Sequence, residues 1–198
     1  MTTLSLIFHT GMGHTGRGAE AIAAGADEVD GVTVQSFPIT AAQIDPEQGW
    51  MDTEVLDALS ASDGIVFGAA TYMGMVSWQF KAFAYATGQF WMSNGWQDKV
   101  AGGFTASSFP SGDKNSTIDY LSTLAAQLRM VWVGPAAPSS NLTGDGRGLD
   151  PNGFYKGVGV VGGRPDSGLP TDGDLLTARL YGTRLAEATR RWTAGAPA

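Results

Sequence analysis

The chain has 198 residues, a net charge of −7 and 28 glycines, about twice the usual glycine share. Apolar residues make up 43% and charged residues 16%, a composition that excludes most disordered chains. The absence of cysteine excludes disulfides, thiolate metal sites and a cysteine nucleophile. The acidic balance and the scattered basic residues argue against a nucleic-acid partner. No apolar run reaches the ~20 residues of a membrane helix, so we expect a cytoplasmic protein without a membrane partner.

Strand and helix patterns alternate along the chain. Short apolar runs predict five strands, at residues 4–8, 32–37, 65–67, 100–104 and 130–133. Apolar residues at steps of three and four predict helices between the strands and after the last one. Polar residues that can cap a helix mark four helix starts: Asp52, Ser77, Ser116 with Asp119, and Thr171 with Asp174.

This order of elements predicts an α/β fold. Residues 134–169 hold ten glycines, and we expect surface structure there with a short extra strand at 158–161. The whole chain, residues 1–198, fits one domain with a flavodoxin-like doubly wound parallel sheet of five strands in the order 2-1-3-4-5. Ligands of such sheets bind beyond the carboxyl ends of the strands. The loops after strands one, three and four meet at that edge.

The loop after strand one is predicted to bind an anion. It joins a strand to a helix start, where free N–H groups and the helix dipole favour negative charge. The candidate residues are Thr10, Gly11, Met12, Gly13, His14 and Thr15. The alternatives are a tight turn that only needs glycine and, for His14, an exposed helix-start histidine; no carboxylate cluster at ligand spacing supports a metal.

Two nucleotide motifs fit this loop poorly. The spacing of Gly11, Gly13 and Gly16 matches the dinucleotide fingerprint, but the required acidic residue after strand two is missing. A Walker loop would need Lys-Ser/Thr where Arg17-Gly18 stands. Hydroxyl donors around a short loop suit a terminal monophosphate, such as that of FMN, better than an internal pyrophosphate.

The loops after strands three and four are candidates for holding a flat ring. The first is apolar where loops are usually polar, and its candidate residues are Thr71, Tyr72, Met73 and Gly74. The second is long for its type and can grip a polar ring edge through Thr105, Ala106, Ser107, Ser108, Phe109, Gly112 and Asp113. The alternatives are a loop buried under its neighbours and an ordinary surface loop.

Residues 89–96 concentrate large aromatic side chains in a segment that we interpret as non-helical. Phe90, Trp91 and Trp96 are expected to be exposed, at a subunit interface or as a stacking platform for a flat substrate. Packing into the core is the alternative.

Together these segments resemble the flavodoxin-like NAD(P)H:quinone oxidoreductases of the WrbA type, within the FMN-reductase superfamily. The similar segments are Gly13-His14, residues 71–74, 77–81 and 87–88 with Trp91, and residues 99–105, 111–114 and 124–133. The resemblance covers roughly residues 3–135 and returns at 175–188.

The resemblance implies FMN as cofactor, NAD(P)H as electron donor, a quinone as small-molecule acceptor, and a homodimer or homotetramer. Residues 10–15 would bind the ribityl phosphate, residues 71–73 the isoalloxazine, and residues 105–113 its polar end. Trp91 would border the substrate pocket of a neighbouring subunit. No side chain is expected to act as a catalytic acid or base. A flavodoxin-type one-electron carrier remains the alternative, because negative charge suits docking on basic partners.

Overall fold

The computed structural model describes residues 1–163, 167 and 170–195. The strands are β1 (Thr2–His9), β2 (Val32–Pro38), β3 (Ile44–Asp45), β4 (Gly49–Trp50), β5 (Gly64–Tyr72), β6 (Met75–Val76), β7 (Val100–Ser107), β8 (Val131–Trp132) and β9 (Val158–Val161). The helices are α1 (His14–Asp27), α2 (Thr53–Ala61), α3 (Trp78–Ala86), α4 (Gly88–Ser93), α5 (Lys114–Gln127), α6 (Ser140–Thr143) and α7 (Asp172–Ala194). A 3₁₀ turn at Ala41–Gln43 precedes the small β3–β4 hairpin.

The main sheet confirms the predicted fold and strand order. Its path is β2-β1-β5-β7-β8, and all these pairs are parallel. The fifth position is divided between two short strands. β8 pairs with Val100–Ala101 at the beginning of β7, and β9 pairs with the carboxyl half of β7 from Phe104 to Ser107. The extra strand at 158–161 is therefore confirmed, while the strand expected at 130–133 is shorter than predicted.

Strands three and four continue further than the sequence suggested. The sequence ended strand three at residue 67 and placed Thr71 and Tyr72 in the following loop. This is wrong, because β5 continues to Tyr72 and the turn is confined to Met73 and Gly74, whose φ values are positive. Residues 105–107 likewise belong to β7 rather than to a loop. The extension of β5 was missed because it contains small residues instead of an apolar run. Glycine is needed at Gly68, where the Phe104 ring fills the space: a Cβ there would lie 2.3 Å from that ring.

Two apolar layers cover the sheet, as expected for a doubly wound fold. Helices α1 and α7 cover one face, around a core that includes Leu6, Ile22, Phe104 and Leu185. Helices α2, α3 and α5 cover the other, around a core that includes Ile7, Phe67, Phe80 and Leu121.

The interpretation of residues 89–96 as non-helical is wrong, and so is the expected exposure of Trp96. Residues 88–93 form α4, and Trp96 is completely buried. Its ring stacks on Phe90, with centroids 4.6 Å apart, and its Nε1 donates to Ser60 Oγ at 2.9 Å. A partner thus satisfies the polar indole N–H inside the core, so the alternative of core packing holds for Trp96. Trp91 remains half exposed.

Two of the four predicted caps form as expected. Asp52 accepts from Val55 N, and Thr171 with Asp174 makes a capping box. Ser77 precedes α3 but makes no capping bond, and its buried Oγ has no partner among the described residues. The start at Ser116 is wrong, because α5 begins at Lys114.

Candidate ligand-binding site

A pocket opens at the carboxyl edge of β1, β5 and β7, where all three predicted loops meet. Its volume is about 420 Å³ when the space open to solvent is included. Its lining residues are Met12, His14, Thr15, Ala70, Thr71, Tyr72, Ala106, Ser107 and Ser108. Five of these nine residues lie at the carboxyl ends of β5 and β7, and His14 and Thr15 begin α1. We call this the loop pocket.

The N-terminus of α1 gives the loop pocket an anion-binding end. Gly13 precedes the helix with a φ of +89°, and α1, which is described in full, has neither a side-chain cap nor an acidic residue in its first turn. The amides of His14 and Thr15, ahead of Gly16, are therefore available to a ligand. Thr10 Oγ1 accepts from Gly16 N at 3.1 Å, which leaves the hydroxyl proton of Thr10 free to donate.

Tyr72 forms a flat wall against the anion-binding loop. A Cβ at Gly11 would lie 2.0 Å from the Tyr72 hydroxyl oxygen, so only glycine permits this approach. The Tyr72 side chain is 45% exposed and lines the loop pocket. The pocket thus combines an anion site at one end with an aromatic surface beside it.

A chain of threonine hydroxyls fixes the floor below the loop pocket. Thr71 Oγ1 lies 2.7 Å from Thr105 Oγ1 and 2.8 Å from Thr117 Oγ1. Thr105 also donates to Ala69 O at 2.6 Å and is completely buried. These bonds join β5, β7 and α5, so the strand ends are rigidly placed. Thr105 supports the pocket from below as part of β7, although the sequence predicted it in a loop that grips the ring edge.

Several predicted site residues lie near the loop pocket without lining it. Met73 and Phe109 are exposed at the tips of their loops, and Gly74, Gly112 and Asp113 lie in the same two segments. Trp91 lines a different cavity, together with Lys81, Tyr85 and Tyr120. The structure therefore does not bring Trp91 to the loop pocket of its own chain.

Sequence reasoning missed Lys114 as a site residue. Its side chain is completely buried. Its Nζ donates to Ser107 Oγ at 3.1 Å, Phe109 O at 2.6 Å and Pro110 O at 2.8 Å. Burial lowers the pKa of Lys114 to about 8, against the opposing attraction of Asp174. The sequence offered no signal for this role, because the predicted helix start at Ser116 left Lys114 in the preceding loop.

Across residues 1–163, 167 and 170–195, no helix is long and apolar enough to cross a membrane. The same residues contain no group of three or more His, Asp or Glu side chains placed to hold a metal ion. His9, at the end of β1, is buried, and burial lowers its pKa.

A doubly wound flavodoxin-like sheet with an anion site and an aromatic wall at this edge is typical of flavin-nucleotide-binding proteins. The NADPH-dependent FMN reductase family matches residues 12–143. The chain belongs to this family, and the prediction of an FMN-dependent oxidoreductase is confirmed.

Individual relatives carry two kinds of name. A protein named flavodoxin FldP from Pseudomonas aeruginosa is 37% identical, over 94% of this chain and 96% of that protein. A protein named NAD(P)H dehydrogenase (quinone) from Geobacter metallireducens is 31% identical, over 91% of this chain and 94% of that protein. The crystal structure of the flavodoxin, WrbA-like protein from Agrobacterium tumefaciens superposes with a TM-score of 0.73 at 38% identity, covering 96% of this chain and 99% of that one.

Proposed function

We propose that the chain is an NAD(P)H:quinone oxidoreductase that holds FMN in the loop pocket. The observation that carries this proposal is the arrangement of the pocket, with the free amides of α1 at one end and the Tyr72 ring beside them. The ribityl phosphate would lie on residues 10–15, and the isoalloxazine would lie against Tyr72 and the Met73–Gly74 turn. Residues 105–113 would enclose the polar end of the ring.

The chain's own residues bind and orient in this proposal. When bound, FMN supplies a two-electron centre, so that NAD(P)H is oxidised and a quinone is then reduced at the same place. The side chains that line the loop pocket include neither carboxylates nor Lys or Arg among the described residues. Such walls suit a flat, uncharged acceptor such as a quinone.

The direct test is turnover with a quinone. Protein loaded with FMN is expected to oxidise NADH or NADPH with benzoquinone in steady state, with parallel lines in double-reciprocal plots because donor and acceptor use one place in turn. Cofactor released by heat is expected to be FMN at one per chain. FMN-loaded protein that oxidises neither donor with any quinone would contradict the proposal.

A one-electron carrier is the second candidate, favoured by the net charge of −7 and by the relative named flavodoxin. A reductive titration followed by absorbance separates the two functions. A reductase is expected to take up both electrons in one step, whereas a carrier takes them up in two resolved steps. Two resolved steps without quinone turnover would favour the carrier.

We also propose that the chain forms a homodimer or homotetramer through the exposed aromatic face of α3 and α4. Trp78, Tyr85 and Trp91 are each at least half exposed, and they line two adjoining cavities. An apolar surface of this kind is costly to leave in water.

Light scattering at micromolar concentration is expected to give a multiple of the 20.7 kDa chain mass. The double variant Trp78→Glu, Trp91→Glu should shift this mass towards the monomer, because it places two charges in the interface. Trp192→Glu is the matched control. Trp192 is exposed to an extent similar to Trp91 but lies on α7, so the mass of this variant should equal that of the wild type. A monomeric wild-type protein would refute the proposal.

A further inference from the structure

Lys114 occupies a position that is unfavourable for a cation in two ways. It is the first residue of α5, where the helix dipole opposes positive charge, and it is completely buried. A neutral residue of the same length would avoid both costs. The presence of lysine therefore needs an explanation beyond packing.

The surroundings of Lys114 fit its charged form. Ser107 Oγ donates to Phe109 O at 3.1 Å, so the hydroxyl offers a lone pair to the ammonium group. With Phe109 O and Pro110 O, it provides three acceptors for three ammonium protons. The lysine stem passes close to β9, where a Cβ at Gly159 would lie 3.1 Å from Cε. The fold thus makes room for the side chain and satisfies its charge.

The ammonium group lies directly behind the wall of the loop pocket. Ser107 lines the pocket on one side and accepts from Lys114 Nζ on the other. The carboxylate of Asp174 attracts Lys114 but accepts bonds from Thr171 and from the backbone of Val161. Asp174 forms no ion pair with Lys114 within the described part of the chain. The positive charge of Lys114 is therefore only partly neutralised.

We propose, on the basis of the proposed flavin site, that Lys114 is a positioning residue that also favours the reduced state of FMN. Its bonds hold residues 107–110 in the conformation that encloses the ring. A hydride brings two electrons and one proton from NAD(P)H, which leaves as NAD(P)⁺, and this adds one negative charge to the ring. The buried ammonium group stabilises that added charge across the pocket wall.

The test compares the buried Lys114 with the half-buried Lys99, which lie near opposite ends of β7. Lys114→Met keeps the length of the side chain and removes the charge and its three bonds. Lys99→Met is the matched control, because Lys99 Nζ is also held by carbonyl oxygens, those of Ser60 and Ser62, but precedes the other end of β7. The readouts are FMN affinity of the apoprotein and the two-electron midpoint potential of the FMN-loaded protein.

We expect Lys114→Met to weaken FMN binding by about tenfold or more, the range for lost bonds to a charged group. Its midpoint potential should be lower than that of the wild type, and Lys114→Arg, which keeps the charge, should be closer to wild type than Lys114→Gln. Lys99→Met should change neither readout. A wild-type potential in both Lys114→Met and Lys114→Gln, or equal effects in Lys99→Met, would overturn the proposal.

These readouts are independent of quinone turnover. A wild-type protein that binds FMN but reduces no quinone would refute the proposed enzyme and leave the comparison of potentials intact. A wild-type protein that does not bind FMN would refute both proposals at their common basis.

Discussion

Gly182→Ala is expected to destabilise the fold by more than about 3 kcal/mol, at the upper end of overpacking effects. A Cβ at residue 182 would lie 1.9 Å from the backbone oxygen of Ile22, where α7 crosses α1. The contact is reciprocal, because a Cβ at Gly25 would lie 1.9 Å from the backbone oxygen of Arg179. Backbone on both sides prevents relief by side-chain rotation, so the two helices must separate.

Urea unfolding followed by circular dichroism measures this effect. Gly88→Ala is the matched control, because Gly88 also lies in a helix and a Cβ there meets nothing within 4 Å. The control should be neutral or stabilising by up to about 1 kcal/mol, since alanine is the better helix former. Equal stabilities of the two variants would contradict the close crossing of α1 and α7. The same crossing covers the sheet below the loop pocket, so Gly182→Ala should also weaken ligand binding.

The strand order was predictable because it depends on local alternation. Apolar runs such as residues 4–8 and helix starts such as Asp52 and Thr171 act within a few positions of the chain. The glycine-rich loop after β1 was predictable for the same reason, since strand, glycines and helix start are contiguous. Thus the anion-binding end of the site follows from one segment of sequence.

Features that depend on distant residues were missed. Trp96 was expected to be exposed because the partners that bury it, among them Ser60 and Phe67, come from α2 and β5, which are distant in sequence. The burial of Lys114 depends on β9 and the N-terminus of α7, which are distant in sequence and pack around it. The strand ends at Thr71 and Thr105 carry few large apolar residues, and only their hydroxyl network shows that they form a floor.

Thr15→Asp is expected to reduce FMN affinity at least about a hundredfold, or ~2.8 kcal/mol. Thr15 is buried in the first turn of α1 and lines the loop pocket. A carboxylate there would accept from the free amides in place of the phosphate. It would also repel the phosphate, since two like charges ~4 Å apart near a protein surface interact by about 4 kcal/mol. Helix N-termini favour acidic residues, so the fold should tolerate the change.

Riboflavin is the control ligand, because it has the ring and the ribityl chain of FMN but no phosphate. Thr15→Asp should weaken riboflavin binding far less than FMN binding. Thr15→Val, which removes the hydroxyl and adds no charge, should weaken FMN binding by about 1 kcal/mol, the usual worth of one hydrogen bond. Fluorescence titration of the three apoproteins with both ligands measures these differences. If Thr15→Asp weakened the binding of both ligands equally, the phosphate would not lie on residues 10–15. A carboxylate next to the phosphate would lower the affinity for FMN more than that for riboflavin.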